Sequence, residues 1–312
     1  MRPIIAITGA GGYIGSALTV CLAEKGFKVI ANCSGKVAIK HPNVQVIRAD
    51  LTDKRSVELL MEQAEHLLHF GESGYPRNGA ATLDSNRFIR DNILESYNRI
   101  GESVHFTYCS SGGAVYRDSH EAHTENSATF GYTPYASFKL ESERLYQSSI
   151  PENCLTILRP GNVYGFSVNN SKSFSGKQGI VNHAIHATLH RKSIDLVDPV
   201  VSRDFIYIED FVRAVLALIE SRQRSGIFNV GTGEATTIGS LLAIISEMFG
   251  FPVRTLSTGS RNEGPMQVAL NCNKIKAFGW KPATSIRGGI KAMVATATRF
   301  KEYNPGEMIS TL

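Results

Sequence analysis

Through the first half of the chain, short apolar runs alternate with longer stretches whose apolar positions recur every three to four residues. PIIAI, FKVIAN, VQVIRAD, HLLHF, VHFTYCSS and LTILRP read as strands. YIGSALTVCLAEK with its stop at Gly26, KRSVELLMEQ, RFIRDNILESYNRIGE and YASFKLESERLYQ read as helices. Apolar strands joined by amphipathic helices predict a parallel sheet covered on both faces, a doubly wound α/β layout. Past Gly165 the polar run FSVNNSKSFSGKQG reads as a loop at a domain junction. The helical GIVNHAIHATLHRK follows, and FIYIED and IFNVGTG read as strands returning to the main sheet.

The stretch TGAGGYIG sits between the first strand and the first helix, with Gly9, Gly12 and Gly15 at three-residue intervals. A glycine cluster there brings free amides and the positive helix end to one point, where a pyrophosphate can be held. This context predicts a Rossmann-type dinucleotide site, with Tyr13 and Ile14 inside the loop. The expected division is then a dinucleotide-binding domain at 1–165 with a returning segment at about 204–232. A smaller interleaved substrate domain takes 166–203 and 233–312. At the end of the second strand, NAD binders carry an acidic residue for the ribose hydroxyls. FKVIANCSGK has none there; Cys33, Ser34 and Lys36 occupy the place, which admits NAD or NADP and tilts slightly toward NADP.

The composition is that of an ordinary globular protein: 312 residues, 42% hydrophobic and 20% charged. A net charge of +5 without long basic runs argues against nucleic acid as a partner. Five scattered cysteines without a CxxC pair fit a reduced, cytoplasmic setting. The opening apolar run breaks at Gly9, too soon for a secretory leader, and no run reaches membrane-spanning length. His183, His186 and His190 recur on one helical face, but without HExxH or paired carboxylates no metal is expected.

YASFK puts Tyr135 and Lys139 one helical turn apart on the same face. A tyrosine with its ordinary pKa of about 10 is a poor base, and a neighbouring ammonium would lower that value. CSSGGAVY adds hydroxyls at Ser110 and Ser111 that suit a substrate oxygen.

TGAGGYIGS, RADLTD, LHFGE, DNILESYN, SSGGAVY, TPYASFK, LRPGNVYG and SRDFIYIED stand in an order and spacing that resemble the extended short-chain dehydrogenase/reductase family, which includes the nucleotide-sugar epimerases. The resemblance covers nearly the whole chain. It implies that Gly9, Gly12 and Gly15 cradle the pyrophosphate and that Asp50 and Leu51 meet the adenine. Phe70 and Gly71 would line the cofactor cleft, with Asn92 beside it. Tyr135 would be the acid/base and Lys139 would bind the nicotinamide ribose. Asn162 and Arg203 would contact a nucleotide diphosphate, where an arginine fork suits paired phosphate oxygens. A homodimer through helices at about 86–100 and 135–148 is implied as well.

Departures narrow the expectation. The family's hydroxyl residue falls by count on Gly112, so Ser111 takes the role, with Ser110 behind it. Gly112, Gly113 and Ala114 stand where dehydratases carry acidic residues, which disfavours dehydration. SRNEGPM resembles the family's arginine-bearing element, with Arg261 displaced by one. The expected function is an NAD(P)-dependent nucleotide-sugar epimerase working through a keto intermediate. A nucleotide-sugar ketoreductase is second, and a non-catalytic cofactor sensor is third.

Overall fold

The computed structural model describes residues 2–35, 39–72, 80–167, 179–196, 198–221, 224–257 and 264–303. Strands β1 (Ile4–Thr8), β2 (Lys28–Cys33), β3 (Val44–Arg48), β4 (His66–His69), β5 (His105–Cys109) and β6 (Leu155–Pro160) pair parallel in the order β6-β5-β4-β1-β2-β3. Three strands follow outside this sheet: β7 (Asn162–Tyr164), β8 (Ser193–Leu196) and β9 (Ser202–Tyr207). β10 (Gly226–Val230) then returns to pair parallel with β6 as the seventh strand. β11 (Ala235–Thr237) runs antiparallel to β9, and β12 (Arg254–Ser257) runs parallel to β8.

The strands are apolar on both sides because helices cover both sides. α1 (Tyr13–Glu24) packs on one face, and α2 (Lys54–Glu62) and α3 (Ala80–Ile100) on the other. After β5 come the short α4 (Gly112–Val115) and α5 (Pro134–Ser149), then α6 (Gly179–Leu189) and α7 (Ile208–Glu220). Ile5 and Ile7 point toward α1 and α7, where Leu18, Leu22, Phe211 and Val215 are buried with them. Ala6, one residue out of phase, joins Val57, Ile93 and Tyr146 on the opposite side. α8 (Ile238–Phe249), α9 (Asn273–Lys276) and α10 (Ile286–Tyr303) complete the chain. α6, α8 and α10 enclose a separate core around Tyr164, Ile194 and Phe205.

FIYIED departs from the expectation that it returns to the main sheet. Its strand, β9, pairs with β7 and β11 instead. The sheet edge beside β6 is taken by β10, so β9 lies in the small sheet and leads into α7, which packs on α1. Asp204 on β9 is fully buried and ties these parts together. Its carboxylate accepts from Thr232 N and Oγ1 at 2.8 Å, Gly233 N at 2.9 Å and Leu270 N at 3.2 Å. Burial pushes its pKa up while those hydrogen bonds oppose the shift. Among the described residues, no helix is long and apolar enough to cross a membrane.

The order of the strands reverses at β1, which lies between β2 and β4. A crevice opens at the carboxyl ends of strands at such a reversal. The loops after β1 and β4 meet there.

Candidate active site

Gly9 turns the chain out of β1 with φ +68°, a conformation that glycine adopts without steric cost. A Cβ on Gly9 would stand 2.5 Å from the Phe70 carbonyl oxygen, and one on Gly15 would stand 2.2 Å from the Gly9 oxygen. The backbone that these glycines admit is thus the protein's own: the turn folds onto itself and onto the loop after β4. Gly12 caps α1 and donates to Gly9 O at 2.8 Å. The first turn of α1, with its amides and the positive end of its dipole, faces a cleft of about 600 Å³ lined by Gly9, Gly12, Tyr13, Ile14 and Gly15. Tyr13 Oη donates to Gly165 O at 2.9 Å and so fastens the turn to the segment after β7.

Across the cleft, Thr8 Oγ1 accepts from the amides of Phe70 at 3.2 Å and Gly71 at 3.0 Å. Phe70 lines the cleft. Gly71 packs against Leu51, with a Cβ there standing 2.8 Å from Leu51 Cδ1, so the buried Leu51 lies behind the wall. Asp50 is exposed and accepts from Thr52 N at 2.9 Å. Asn92 Nδ2 donates to Leu51 O at 3.0 Å and Thr52 O at 2.8 Å, clamping α3 to that loop. Cys33 is buried at the end of β2 and Ser34 is exposed, while Lys36 lies outside the described residues. Asn32 donates to Ala49 O at 3.1 Å, and none of the described residues at the end of β2, Asn32, Cys33 and Ser34, is a carboxylate.

Thr133 and Pro134 start α5, with Thr133 Oγ1 accepting from Ala136 N at 3.2 Å. The helix then carries Tyr135 and Lys139 into the cleft as its spacing predicts. Ser111, at the start of α4, lines the same wall, and its hydroxyl acts to lower the Tyr135 pKa. The Lys139 ammonium is 5.7 Å from the Tyr135 ring centroid and donates to Cys109 O at 2.7 Å. It also forms a buried ion pair with Glu72. Burial acts to lower the Lys139 pKa, but the Glu72 charge raises it above its ordinary value. The phenol differs from expectation: burial raises the Tyr135 pKa above 10, Lys139 opposes this, and Glu72 adds to the rise. Burial is the largest of these effects and the main reason the ammonium's acidifying pull does not prevail; the Glu72 carboxylate adds to it.

Ser110 and Ser111 separate in the fold. Both touch the cleft, but Ser110 is buried and donates its hydroxyl to Glu143. Glu143 in turn binds Arg159, whose guanidinium also donates to Tyr116 Oη at 3.1 Å. Asn162 lines the cleft; a Cβ on Gly113 would stand 2.4 Å from its Oδ1, so the glycine makes room for it. Arg203 is not among the described residues that line the cleft, and it donates to Ser202 O at 2.8 Å. Arg261 lies outside the described residues. The rings of His186 on α6 and His190 just after it lie 4.6 Å apart at a tilt, and no group of three or more His, Cys, Asp or Glu that could hold a metal ion gathers among the described residues.

Comparison with known proteins decides the family. The model of the NAD dependent epimerase/dehydratase family matches residues 5–231. The chain belongs to this family. It is similar to UDP-glucose 4-epimerase of Thermotoga maritima, solved with UDP-glucose, at 26% identity and a TM-score of 0.81 over 95% of this chain and 99% of that one. UDP-glucose 4-epimerase of Thermus thermophilus, in complex with NAD, is similar at 25% identity and a TM-score of 0.81, over 95% and 99%. dTDP-4-dehydro-6-deoxyglucose reductase of Escherichia coli is 24% identical over 93% of this chain and 96% of that protein.

For a member of the NAD-dependent epimerase/dehydratase family, the first turn of α1, whose positive end faces the cleft beside the glycine turn, fits a dinucleotide pyrophosphate. Sequence reasoning missed Glu72 and His69 as cleft residues. The available signal was LHFGE itself, a carboxylate three residues after the last strand histidine, at the carboxyl edge where ligands bind.

Proposed function

We propose that this family member is an NAD(P)-dependent epimerase that acts on a nucleotide-diphosphate sugar through a keto intermediate. The observation that carries this is the convergence of Tyr135, Lys139 and Ser111 on the cleft that the glycine turn opens into. A bound nicotinamide would supply the acceptor and donor of hydride at the sugar carbon. Tyr135 takes the proton of the sugar hydroxyl and later restores it, Ser111 holds the sugar oxygen beside the phenol, and Lys139 anchors the ribose and the phenol together. Asn162 is the proposed contact to the nucleotide sugar. Arg203 must first release Ser202 O to reach a diphosphate and is the weaker candidate. Ser110 supports the wall through Glu143.

Because no carboxylate stands among the described residues at the end of β2 to repel a 2′-phosphate, NADP binding is proposed to match or exceed NAD binding. A homodimer through the outer faces of α3 and α5 belongs to the same proposal; Phe88 on α3 is 65% exposed.

Glu72 favours a second reading, ketoreduction. With its charge set against Lys139, Tyr135 keeps its proton and suits delivery to a carbonyl. In that use Tyr135 gives its proton to the carbonyl oxygen while a hydride from the reduced nicotinamide joins the carbon. The C=O π bond would break and O–H and C–H bonds form, with a bound reduced nicotinamide supplying the two electrons of the hydride. Incubation with a panel of nucleotide sugars and their 4-keto derivatives separates the readings. An inverted stereocentre without net change in nicotinamide absorbance supports epimerisation; stoichiometric NADPH consumption overturns it for ketoreduction. Tyr135→Phe is expected to lower either rate by about 10²- to 10⁴-fold.

A further inference from the structure

The ammonium that the family chemistry sets beside Tyr135 is met here by a carboxylate from another strand end. Glu72 follows β4 with its side chain 8% exposed, and it pairs with Lys139, whose side chain is 7% exposed. Its second oxygen, Oε1, has no hydrogen-bond partner among the described residues and lies 3.7 Å from His69 Nε2. Thr8 Oγ1 already accepts two amides, so its own proton goes to His69 Nδ1 at 2.7 Å. By that network the histidine carries its proton on Nε2, facing Glu72. His69, Glu72 and Lys139 all line the cleft.

We propose that Glu72 is a positioning residue of this site: it pins the Lys139 ammonium and offsets its charge, so that Tyr135 meets the substrate as a proton donor. This rests on the reading of Tyr135 as the acid/base, in the proton-donating direction that ketoreduction uses. Two of the three ammonium N–H groups are committed, to Glu72 and to Cys109 O, which leaves one for a ribose hydroxyl. The carboxylate stays ionised although burial opposes it, because Lys139 and His69 hold its pKa at about 2. Among the described residues, the other titratable groups around the pair are Tyr108 and Cys109 from β5, and Tyr135 and Tyr146 from α5. Burial raises the pKa of Tyr108 and Tyr146 well above 10 and pushes Cys109 up to about 12, so these three are neutral at neutral pH. Of the described groups that act on Tyr135, Lys139 and Glu72 are the charged ones.

The test is ultraviolet titration of tyrosinate in the full chain without cofactor, with a Tyr135→Phe partner of each variant subtracted to isolate Tyr135. Glu72→Gln is expected to lower the Tyr135 midpoint by about one pH unit or more. Glu72→Asp is expected to move it back toward the unmodified protein. The double variant Glu72→Gln with Lys139→Met removes both charges and is expected to keep the midpoint near that of the unmodified protein. NADPH titration by nicotinamide fluorescence and the thermal midpoint report that each variant is folded. A folded Glu72→Gln protein whose Tyr135 midpoint does not move overturns the proposal. If that variant does not fold, a double-variant midpoint displaced by a unit or more overturns it instead. The titration needs no substrate and no turnover, so its failure is separate from any failure of the functional reading.

Discussion

At the scale of single residues, the glycine turn and the buried polar groups carry the sharpest consequences. Gly15→Ala sets a methyl group 2.2 Å from the Gly9 oxygen, where only backbone movement relieves the clash. It is expected to cost about 1–3 kcal/mol of stability and to weaken NAD binding, checked by urea denaturation and nucleotide titration. Glu143 and Arg159 form a buried ion pair, and Glu143 also holds Ser110. Glu143→Gln leaves a buried guanidinium without its counter-charge, so a loss of about 3–5 kcal/mol is expected in the same denaturation measurement. Tyr135 and Lys139 were legible in the sequence because four residues of helix bring them together. Glu72 reaches Lys139 across 67 positions of sequence, and no local periodicity records such a meeting.

At the scale of elements, α5 shows how one helix serves both the core and the site. Tyr135, Lys139 and Glu143 follow at intervals of four and so share a stripe, while Phe138 and Tyr146 pack into the protein. α7 binds the chain's later part in a similar way. The buried Asp210 carboxylate accepts from Ala283 N at 3.1 Å and Thr284 N at 2.8 Å, and its carbonyl accepts from Trp280 Nε1 at 2.9 Å. Asp210→Ala strands those two amides and is expected to cost about 1–3 kcal/mol for each one left unpaired, read from the denaturation midpoint. On the outer face of α3, Phe88→Asp is expected to turn the proposed homodimer into a monomer in sedimentation velocity; an unchanged species would remove that interface. Helix and strand identities could be read from apolar period, but the partner of FIYIED could not. An apolar strand fits either sheet, and the choice depends on β10 occupying the edge beside β6.

At the scale of the molecule, two buried histidines make folding sensitive to acid. His66 on β4 bonds Thr107 Oγ1 at 2.7 Å, and His105 on β5 bonds Thr156 Oγ1 at 2.8 Å. Burial lowers the His66 pKa well below 6.5, with His105 and Arg224 adding to the shift, and brings His105 down to about 3. The unfolded chain therefore binds more protons than the folded one below pH 6.5. Stability is expected to be full above about pH 6.5 and to fall as pH drops toward 3. Denaturation midpoints at pH 7.5, 6 and 5 check this, and His105→Gln should flatten the slope between pH 6.5 and 5. Below pH 4.5, protonation of carboxylates such as Glu72 adds to the loss.

The chain's own pattern of apolar and polar positions determined the strands, most helices, the glycine turn and the Tyr135–Lys139 pair. Each of these is a short-range fact, set by backbone period and by the sterics of a few neighbouring residues. The tertiary structure alone decided that Ser110 is held by Glu143, that Asn92 clamps a loop, and that Arg203 is not among the described residues lining the cleft. It also decided the charge at the site, because a carboxylate's effect on a buried ammonium depends on separation and burial in space, which position along the chain does not encode.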